Sequence, residues 1–213
     1  MKNLIPASVA ELAKFTDPES CRYALGGVHL EIKDGQYEAA ATDTRTLAIV
    51  TGKCVEIDGT RSKLSLDSPD KNKKLAEEQP ELTCVIPARD LRFAAQSAKK
   101  LPKETRCFGV LANCESATLV VDAKRSLDVP LVDGKFPRYR DVIPSGDPVA
   151  SFTVDAEYLA RLLTAARQFG SSNAVEVKVY PNHMLAIEPA IQADAKFLGL
   201  LMCLAPAPDT KRQ

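Results

Sequence analysis

Three stretches of the chain repeat one order of apolar and polar positions. Each begins with a segment whose apolar residues recur every three or four positions, which predicts an amphipathic helix. Each continues with short runs in which apolar residues alternate with polar ones or cluster between turn-forming residues, which predicts strands. The order predicts an α+β chain made of three copies of a helix followed by a short antiparallel meander.

The first copy begins near the N-terminus and contains a predicted hairpin. In SVAELAKF, Ser8 and Glu11 stand three positions apart and predict a helix cap. The apolar residues of this segment at helical spacing are Val9, Leu12 and Phe15. Strands are predicted in YALGGVHLEI, YEAAATDT and TLAIVTG. KDGQ between the first two predicts a tight turn, because Asp-Gly accepts the positive φ that such a turn requires.

The second and third copies follow the same plan. TCVIPARDL predicts a strand that leads into a helix, with Pro87 near its first turn, and FGVLAN, SATLVVDA and SLDVPLV predict strands. FTVDAEYLARLLTAARQF predicts a strand and then a helix capped by Asp155. AVEVKVYP, MLAIEP and FLGLLMCLA predict the last strands, with a turn at Asn182 and His183.

This spacing also predicts the domain organisation. Two copies fall in residues 1–144, and the third falls in residues 145–205. Residues 56–81 contain SPDKNKKLAEEQPE, which is too polar to form a core and predicts a long loop inside the first domain. Residues 206–213 are Pro-rich and charged, which predicts a C-terminal tail.

Charge and hydropathy exclude two classes of protein. The 213 residues include 28 Lys and Arg and 28 Asp and Glu, so the formal net charge is zero. That balance excludes binding of polyanions through bulk positive charge, and any contact with nucleic acid must use locally arranged cations. No apolar run reaches the roughly 18 residues that would cross a membrane, and the N-terminus lacks the pattern of a secretory signal.

Catalytic chemistry has little support in the sequence. The sequence contains no G-x-x-x-x-G-K-[ST], G-x-G-x-x-G, G-x-S-x-G or H-E-x-x-H motif, and His29 and His183 lie in or beside predicted strands. Asp43 and Asp133 are typical of turn residues that bond their own backbone. The six cysteines include no C-x-x-C pair, which favours reduced thiols in a cytoplasmic protein. We expect no enzyme, cofactor or metal site, and cysteine chemistry is the remaining catalytic alternative.

Two segments resemble signature strings of a known family. ATDTRTLAIV at 41–50 and DGKFPRYRDVIP at 133–144 resemble ATDGHRLAV and DGRFPDYRRVIP of the bacterial DNA polymerase III beta subunit, the sliding clamp. FLGLLMCL at 197–204 more loosely resembles the terminal VVMPMRL strand of that family. The resemblance implies the DNA-clamp fold, in which helix-plus-meander half-domains place their helices on one face of curved sheets.

In this fold, residues 1–144 would form one complete domain of two halves. The third half most resembles the closing half of the last clamp domain, although its sequence also suits an opening half. Clamp rings contain twelve such halves, so a chain of three implies a homo-oligomer, and four copies would complete a tetrameric ring. Alternatively, the odd half pairs with that of another subunit.

The resemblance implies that the helices face double-stranded DNA without sequence preference. The second helix carries an excess of cations, and the third carries two more. The predicted DNA-facing residues are Arg89, Arg92, Lys99, Lys100, Arg161 and Arg167. An ordinary solvated helix face is the alternative interpretation.

The resemblance also implies a pocket for short hydrophobic peptides of a polymerase or clamp loader. The positions that match the family's groove are Leu47, Pro137, Val142, Leu198, Leu200 and Met202. The alternative is that these six residues simply belong to the core. The chain departs from the family at 44–46, where Thr-Arg-Thr replaces Gly-His-Arg, at Arg138, where Asp is common, and at Cys203, where the family has Arg.

Together these features predict a non-catalytic, cytoplasmic processivity factor for DNA replication or repair. It would encircle DNA and tether a polymerase or repair enzyme to it. The alternative is a clamp-fold adaptor or decoy that binds peptides without closing a ring on DNA.

Overall fold

The computed structural model describes residues 3–20, 24–55, 81–102, 106–122, 125–181, 183–193 and 196–204. The predicted loop at 56–81 lies outside these residues except for Glu81, and so does the tail at 206–213. The chain divides into two units, Met1–Ile143 and Pro144–Gln213. Within the described ranges, no helix combines the length and the apolar character that a membrane span requires.

The first unit contains two four-stranded antiparallel sheets. The first sheet has the order β4-β3-β2-β5, and the second has the order β1-β6-β7-β8. The strands are β1 (Leu4–Pro6), β2 (Gly27–Lys33), β3 (Gln36–Thr42), β4 (Leu47–Lys53), β5 (Leu82–Pro87), β6 (Cys107–Ala112), β7 (Ser116–Asp122) and β8 (Arg125–Pro130).

The two helix-plus-meander copies of the first unit exchange strands. β1 precedes the first helix but pairs with β6 in the second sheet, whereas β5 precedes the second helix but pairs with β2 in the first sheet. The sequence predicted β5 without its partner and missed β1, which is only three residues long. Each sheet therefore contains a strand from the other copy, so the two copies share one core.

The first helix, α1 (Ala7–Phe15), has 3-10 geometry and starts directly from β1. The predicted cap at Ser8 is wrong, because the helix already begins at Ala7 and no side chain caps it. Instead, the backbone N–H of Ala7 donates to the carbonyl of Arg106 at 2.9 Å. The residue before β6, the partner strand of β1, thus supplies the acceptor that a capping side chain would otherwise provide.

The second helix, α2 (Ala88–Ala98), begins after Pro87 and packs against α1. Its buried residues are Ala88, Leu91, Ala94, Ala95 and Ala98. They join one apolar core with α1 and with inward-facing residues of both sheets, which include Val28, Ile86, Phe108 and Leu119. The small Ala side chains let the helix lie close to the layers around it.

The hairpin between β2 and β3 matches the sequence prediction. Lys33 pairs with Gln36, so a two-residue loop joins the strands. Asp34 has φ 50° and Gly35 has φ 71°, which is the sign required at both central positions of a type I′ turn. Both strands then place alternate residues in the core.

The second unit contains one helix and one three-stranded sheet. The helix α3 (Ala156–Phe169) is capped as predicted, since the Asp155 carboxylate accepts from the N–H groups of Glu157 and Tyr158. It packs on a sheet of order β11-β10-β9, formed by β9 (Val175–Tyr180), β10 (Met184–Pro189) and β11 (Gly199–Met202). The buried apolar residues described in this unit include Ala166, Leu185, Ala186, Ile187 and Leu201.

Replacing Gly27 by Ala should destabilise the first unit, because a Cβ at this position has no room. It would lie 2.6 Å from the carbonyl oxygen of Ile86 and 2.9 Å from a methyl group of Val132. We expect a loss of about 1–3 kcal/mol in the free energy of unfolding, measured by urea denaturation. Gly26→Ala is the matched control, because its Cβ would meet its nearest neighbour at an ordinary 3.5 Å. Equal stability of the two variants would contradict this packing.

Candidate functional site

The turn between β3 and β4 is held by a dense set of local hydrogen bonds. Oδ1 of Asp43 accepts from the N–H groups of Arg45 and Thr46 at 3.0 and 2.6 Å and from the Thr46 hydroxyl at 2.8 Å. The Thr42 hydroxyl donates to the Thr46 carbonyl at 2.6 Å, and Thr44 has φ 74°. Hydrogen bonds from the Thr46 backbone, the Thr46 hydroxyl and the Arg45 backbone lower the pKa of Asp43. Asp43 is therefore a turn residue, as the sequence predicted.

The segment 131–143 leaves β8 and crosses the outer face of the first sheet. The N–H of Val132 donates to the Val85 carbonyl at 2.9 Å. Further along, Phe136 stacks on His29 with ring centroids 4.9 Å apart, and Tyr139 meets both rings edge-on. Burial lowers the pKa of His29, whose Nδ1 has no hydrogen-bond partner among the described residues. This histidine packs the segment onto the sheet.

An ion cluster fixes the end of the same segment. Glu31 and Glu38 lie directly opposite each other on β2 and β3. Arg140 bridges them, with its Nη2 atom 2.7 Å from Glu38 and also bonded to Glu31, and the Tyr139 hydroxyl donates to Glu38. The Tyr139 hydrogen bond and the Arg140 guanidinium lower the pKa of Glu38, although its partial burial opposes them. Two like charges that would repel across the strands are thereby joined by one cation.

The turn 42–46 and the segment 131–143 together line a cavity of about 730 Å³, here called the loop cavity. Three of the predicted peptide-site residues, Leu47, Pro137 and Val142, line it. Val142 is 69% exposed, so it belongs to the surface and not to the core. The cations that line the same cavity are Arg45, Lys135 and Arg138. The loop cavity therefore combines an apolar lining with a positively charged rim.

The other three predicted peptide-site residues belong to the second unit and are exposed. Leu198, Leu200 and Met202 have relative exposures of 58%, 56% and 64%. Leu200 and Met202 alternate with the buried Leu201 on β11, and their cross-strand partners on β10 are Ala186 and Met184. The two side chains therefore lie on the sheet face opposite to the one that Leu201 shares with Leu185, and Leu198 precedes the strand.

The cations predicted on α2 are exposed, and they divide between two sides of the helix. Arg92 and Lys99 flank α1, and the Arg92 guanidinium donates to the Ala13 carbonyl near the end of that helix. Arg89 lies farther from the buried stripe on α2, since each residue adds about 100° of rotation, and Lys100 lies in the turn after the helix ends. Arg92 thus also satisfies a carbonyl that helix geometry leaves unpaired.

A cavity of about 570 Å³, here called the helix groove, lies between α1 and α2. Its cations are Lys14, Arg92, Lys99 and Arg106. Glu11 is the acidic residue described among its lining, and Lys14 pairs with it at 2.5 Å. Sequence analysis missed Lys14 and Arg106, because they join the cations of α2 only when α1 and the start of β6 come together.

The two predicted cations on α3 do not form one stripe. Arg161 and Arg167 are both exposed but stand six positions apart, which is about 120° around the helix. Arg161 pairs with Glu157 at 3.4 Å and lies over the Tyr158 ring at 5.4 Å. α2 and α3 each contain two arginines and one acidic residue, so the excess of positive charge near α2 comes from Lys99 and Lys100, which follow its last residue.

Three of the described cysteines are buried, and the described cysteines and carboxylates form no metal site. Cys54, Cys84, Cys114 and Cys203 are free, and burial raises the pKa of Cys54, Cys84 and Cys107, that of Cys84 to about 12. These three thiols keep their protons at neutral pH, which disfavours them as nucleophiles. Across the described part of the chain, no group of three or more His, Cys, Asp or Glu residues could hold a metal ion.

Comparison with solved structures identifies the architecture. A DNA polymerase sliding clamp from Pseudomonas aeruginosa with ligand matches with a TM-score of 0.65 and 18% identity, over 95% of this chain and 51% of the clamp. The DNA polymerase III beta chain from Streptococcus pneumoniae TIGR4 matches with a TM-score of 0.66 and 15% identity, over 94% of this chain and 48% of that one. This chain has the clamp fold. The fold class predicted from its sequence is confirmed.

The likeness is one of structure at low sequence identity. A C. crescentus beta sliding clamp with bound PEG also matches, with a TM-score of 0.64 and 16% identity over 94% of this chain and 50% of that clamp. The chain thus spans about half the length of the clamps that it matches. No protein-family model matches its sequence, and a search of curated proteins finds no match.

Proposed function

We propose that this clamp-fold protein is a non-catalytic tether that holds a polymerase or repair enzyme on double-stranded DNA in the cytoplasm. The observation that carries the proposal is the occurrence of the clamp fold together with two distinct surfaces on its first unit. One is the cationic helix groove, which lies on the face formed by α1 and α2, here called the helix side. The other is the loop cavity beside the outer face of the first sheet. A tether needs such a pair of surfaces, because it contacts DNA and an enzyme at once.

The helix side supplies the proposed DNA contact. Cations of α1, α2 and the residue before β6 converge on the helix groove, in a chain whose formal net charge is zero. Phosphates carry no sequence information, so exposed Lys and Arg side chains suit binding without sequence preference. We keep Arg161 and Arg167 in the proposed DNA-facing set, and we add Lys14 and Arg106.

The loop cavity supplies the proposed peptide contact. Leu47, Pro137 and Val142 offer an apolar surface to hydrophobic anchors, as a short-peptide site requires. Its cations favour a peptide that also carries an acidic residue, which fits docking segments of a polymerase or clamp loader. We also keep the three exposed apolar residues of the second unit in the proposed site, namely Leu198, Leu200 and Met202.

Assembly completes the proposal. The described residues contain three halves in which a helix packs on a sheet, with the helices at residues 7–15, 88–98 and 156–169. A clamp ring contains twelve such halves. Four copies would supply twelve, so we propose a homo-oligomeric ring of four chains around the duplex.

A second candidate function has support from the position of the loop cavity. All of the described residues that line it belong to the first unit. Peptide docking there requires no ring, so an adaptor or decoy with the clamp fold would use the same cavity. The two candidates differ in whether DNA is bound as well.

Shortening the apolar wall of the loop cavity should weaken peptide binding. We expect Leu47→Ala and Val142→Ala each to cost about 1–3 kcal/mol of affinity if they contact the peptide anchors. The measurement is a fluorescence titration with a labelled peptide that carries two hydrophobic anchors and one acidic residue. Val149→Ala is the matched control, because Val149 is fully exposed and does not line the cavity.

Unchanged affinity of both cavity variants would remove the loop cavity from the peptide site. Thermal melting shows whether each variant is folded, and Val142 is exposed enough for its truncation to leave stability intact. The same titration on the double variant Leu200→Ala, Met202→Ala tests the contribution of the second unit separately. A loss there, with none at Leu47 or Val142, would place the peptide on β11 alone.

Reversing charge beside the helix groove should weaken duplex binding. In the double variant Lys99→Glu, Lys100→Glu, the slope of log affinity against log salt should fall by about 0.9 for each phosphate that the protein no longer neutralises. The measurement is fluorescence anisotropy with a labelled duplex at several salt concentrations. The control reverses the same total charge at Lys33 and Lys53, which are exposed at the ends of β2 and β4. If the affinity and the slope match in the two variants, α2 does not face DNA.

A further inference from the structure

An aromatic side chain is exposed in the middle of α2. Phe93 is 57% exposed, although Leu91, two positions before it, and Ala94, directly after it, are buried. Residues three or four positions apart share a helix face, so Phe93 stands beside Arg89 and Gln96 on the outward side. This ring makes no contribution to the core, and the peptide site of the first unit does not include it.

The ring lines a positively charged cavity of about 800 Å³, here called the Phe93 cavity. Its cations are Lys14, Arg89 and Arg92, and Asp90 is the acidic residue described among its lining. Lys14, Arg92 and Gln96 also line the helix groove, so the two cavities adjoin. An exposed ring therefore lies directly beside the surface to which we assign DNA phosphates.

We propose that the Phe93 cavity binds an unpaired nucleotide of single-stranded DNA, with the base stacked on the Phe93 ring and Arg89 and Lys14 beside its phosphates. The proposal rests on the proposed DNA-binding function and assigns a second nucleic-acid form to the same helix side. A continuous duplex would make little use of the Phe93 ring, because phosphates gain little from an aromatic ring and the faces of paired bases are covered by their neighbours. A cationic surface with an aromatic platform is the combination that binds single strands without sequence preference.

Charge complementarity favours this occupant over an apolar protein surface. A second protein that covered Phe93 with apolar groups would also desolvate the guanidinium of Arg89, and unpaired buried charge is costly. A nucleotide instead presents a flat apolar face and an anion together. The protein should therefore bind a duplex that contains a single-stranded gap more tightly than a continuous duplex of the same length.

The chain contains no Trp, so one substitution creates a direct probe of stacking. Phe93→Trp places the sole indole at the proposed platform. Adding a deoxythymidine strand of about 20 nucleotides should quench its fluorescence, and a continuous duplex of equal length should not. Phe152→Trp is the matched control, since Phe152 is 45% exposed in the second unit and lies outside the Phe93 cavity.

A second variant measures the effect on affinity. Phe93→Ala should weaken binding of the deoxythymidine strand by about 5- to 150-fold, which corresponds to the loss of one stacked base. Its affinity for the continuous duplex should stay within about twofold, because the cations remain. Phe93→Tyr should retain single-strand binding, since it keeps an aromatic face.

The outcomes separate this inference from the proposed function. Intact duplex binding with no loss of single-strand affinity in Phe93→Ala overturns the single-strand site and leaves the tether unaffected. Equal quenching in Phe152→Trp and Phe93→Trp overturns it as well. A Phe93→Trp emission that shifts with protein concentration without DNA means that a second copy covers the ring, which also overturns it. If neither DNA form binds at any salt concentration, the proposed tether fails together with this site.

Discussion

Two carboxylates on neighbouring strands, Glu31 and Glu38, would repel each other if Arg140 did not lie between them. Its guanidinium bridges both side chains, and the Tyr139 hydroxyl adds a second donor to Glu38. This bridge, with the stacking of Phe136 on His29, fixes the segment 131–143 on the first sheet. One wall of the loop cavity depends on that segment, so the proposed peptide site depends on three charged side chains, Glu31, Glu38 and Arg140, that do not line the cavity themselves.

The first unit separates its two proposed roles by face. The helix side presents cations beside the shared core, whereas the loop cavity lies at the ends of β3 and β4 and combines apolar residues with a cationic rim. Because β1 and β5 are exchanged, each sheet contains a strand from the other copy, and the two copies are packed as one unit. A ligand on one side therefore need not displace a ligand on the other.

Local patterns were sufficient for several elements. The two positive φ values at Asp34 and Gly35 and the cap at Asp155 follow from short stretches of sequence, and both were predicted. The cap at Ser8 was wrong because Ala7 bonds instead to the carbonyl of Arg106, which is far away in the sequence. The partner of β5 was missed for the same reason, since strand pairing is set by tertiary packing.

The residues of the candidate site were likewise only partly predictable from the sequence. The positions of Leu47, Pro137 and Val142 came from two strings that resemble clamp signatures, and the structure brings these three residues to one cavity. Lys14 and Arg106 could not be found by inspecting one helix at a time, because their grouping requires α1 to lie against α2. The bond between Tyr139 and Glu38 spans 101 positions, so no local pattern indicates it.

The mass and shape of the protein in solution provide the sharpest test of a ring-forming tether. Light scattering combined with small-angle X-ray scattering at micromolar concentration measures both on the full chain. We predict a particle of four chains of 23.1 kDa each, with the scattering profile of a hollow ring. A particle of one chain, or a larger one without a central opening, would contradict the proposed assembly.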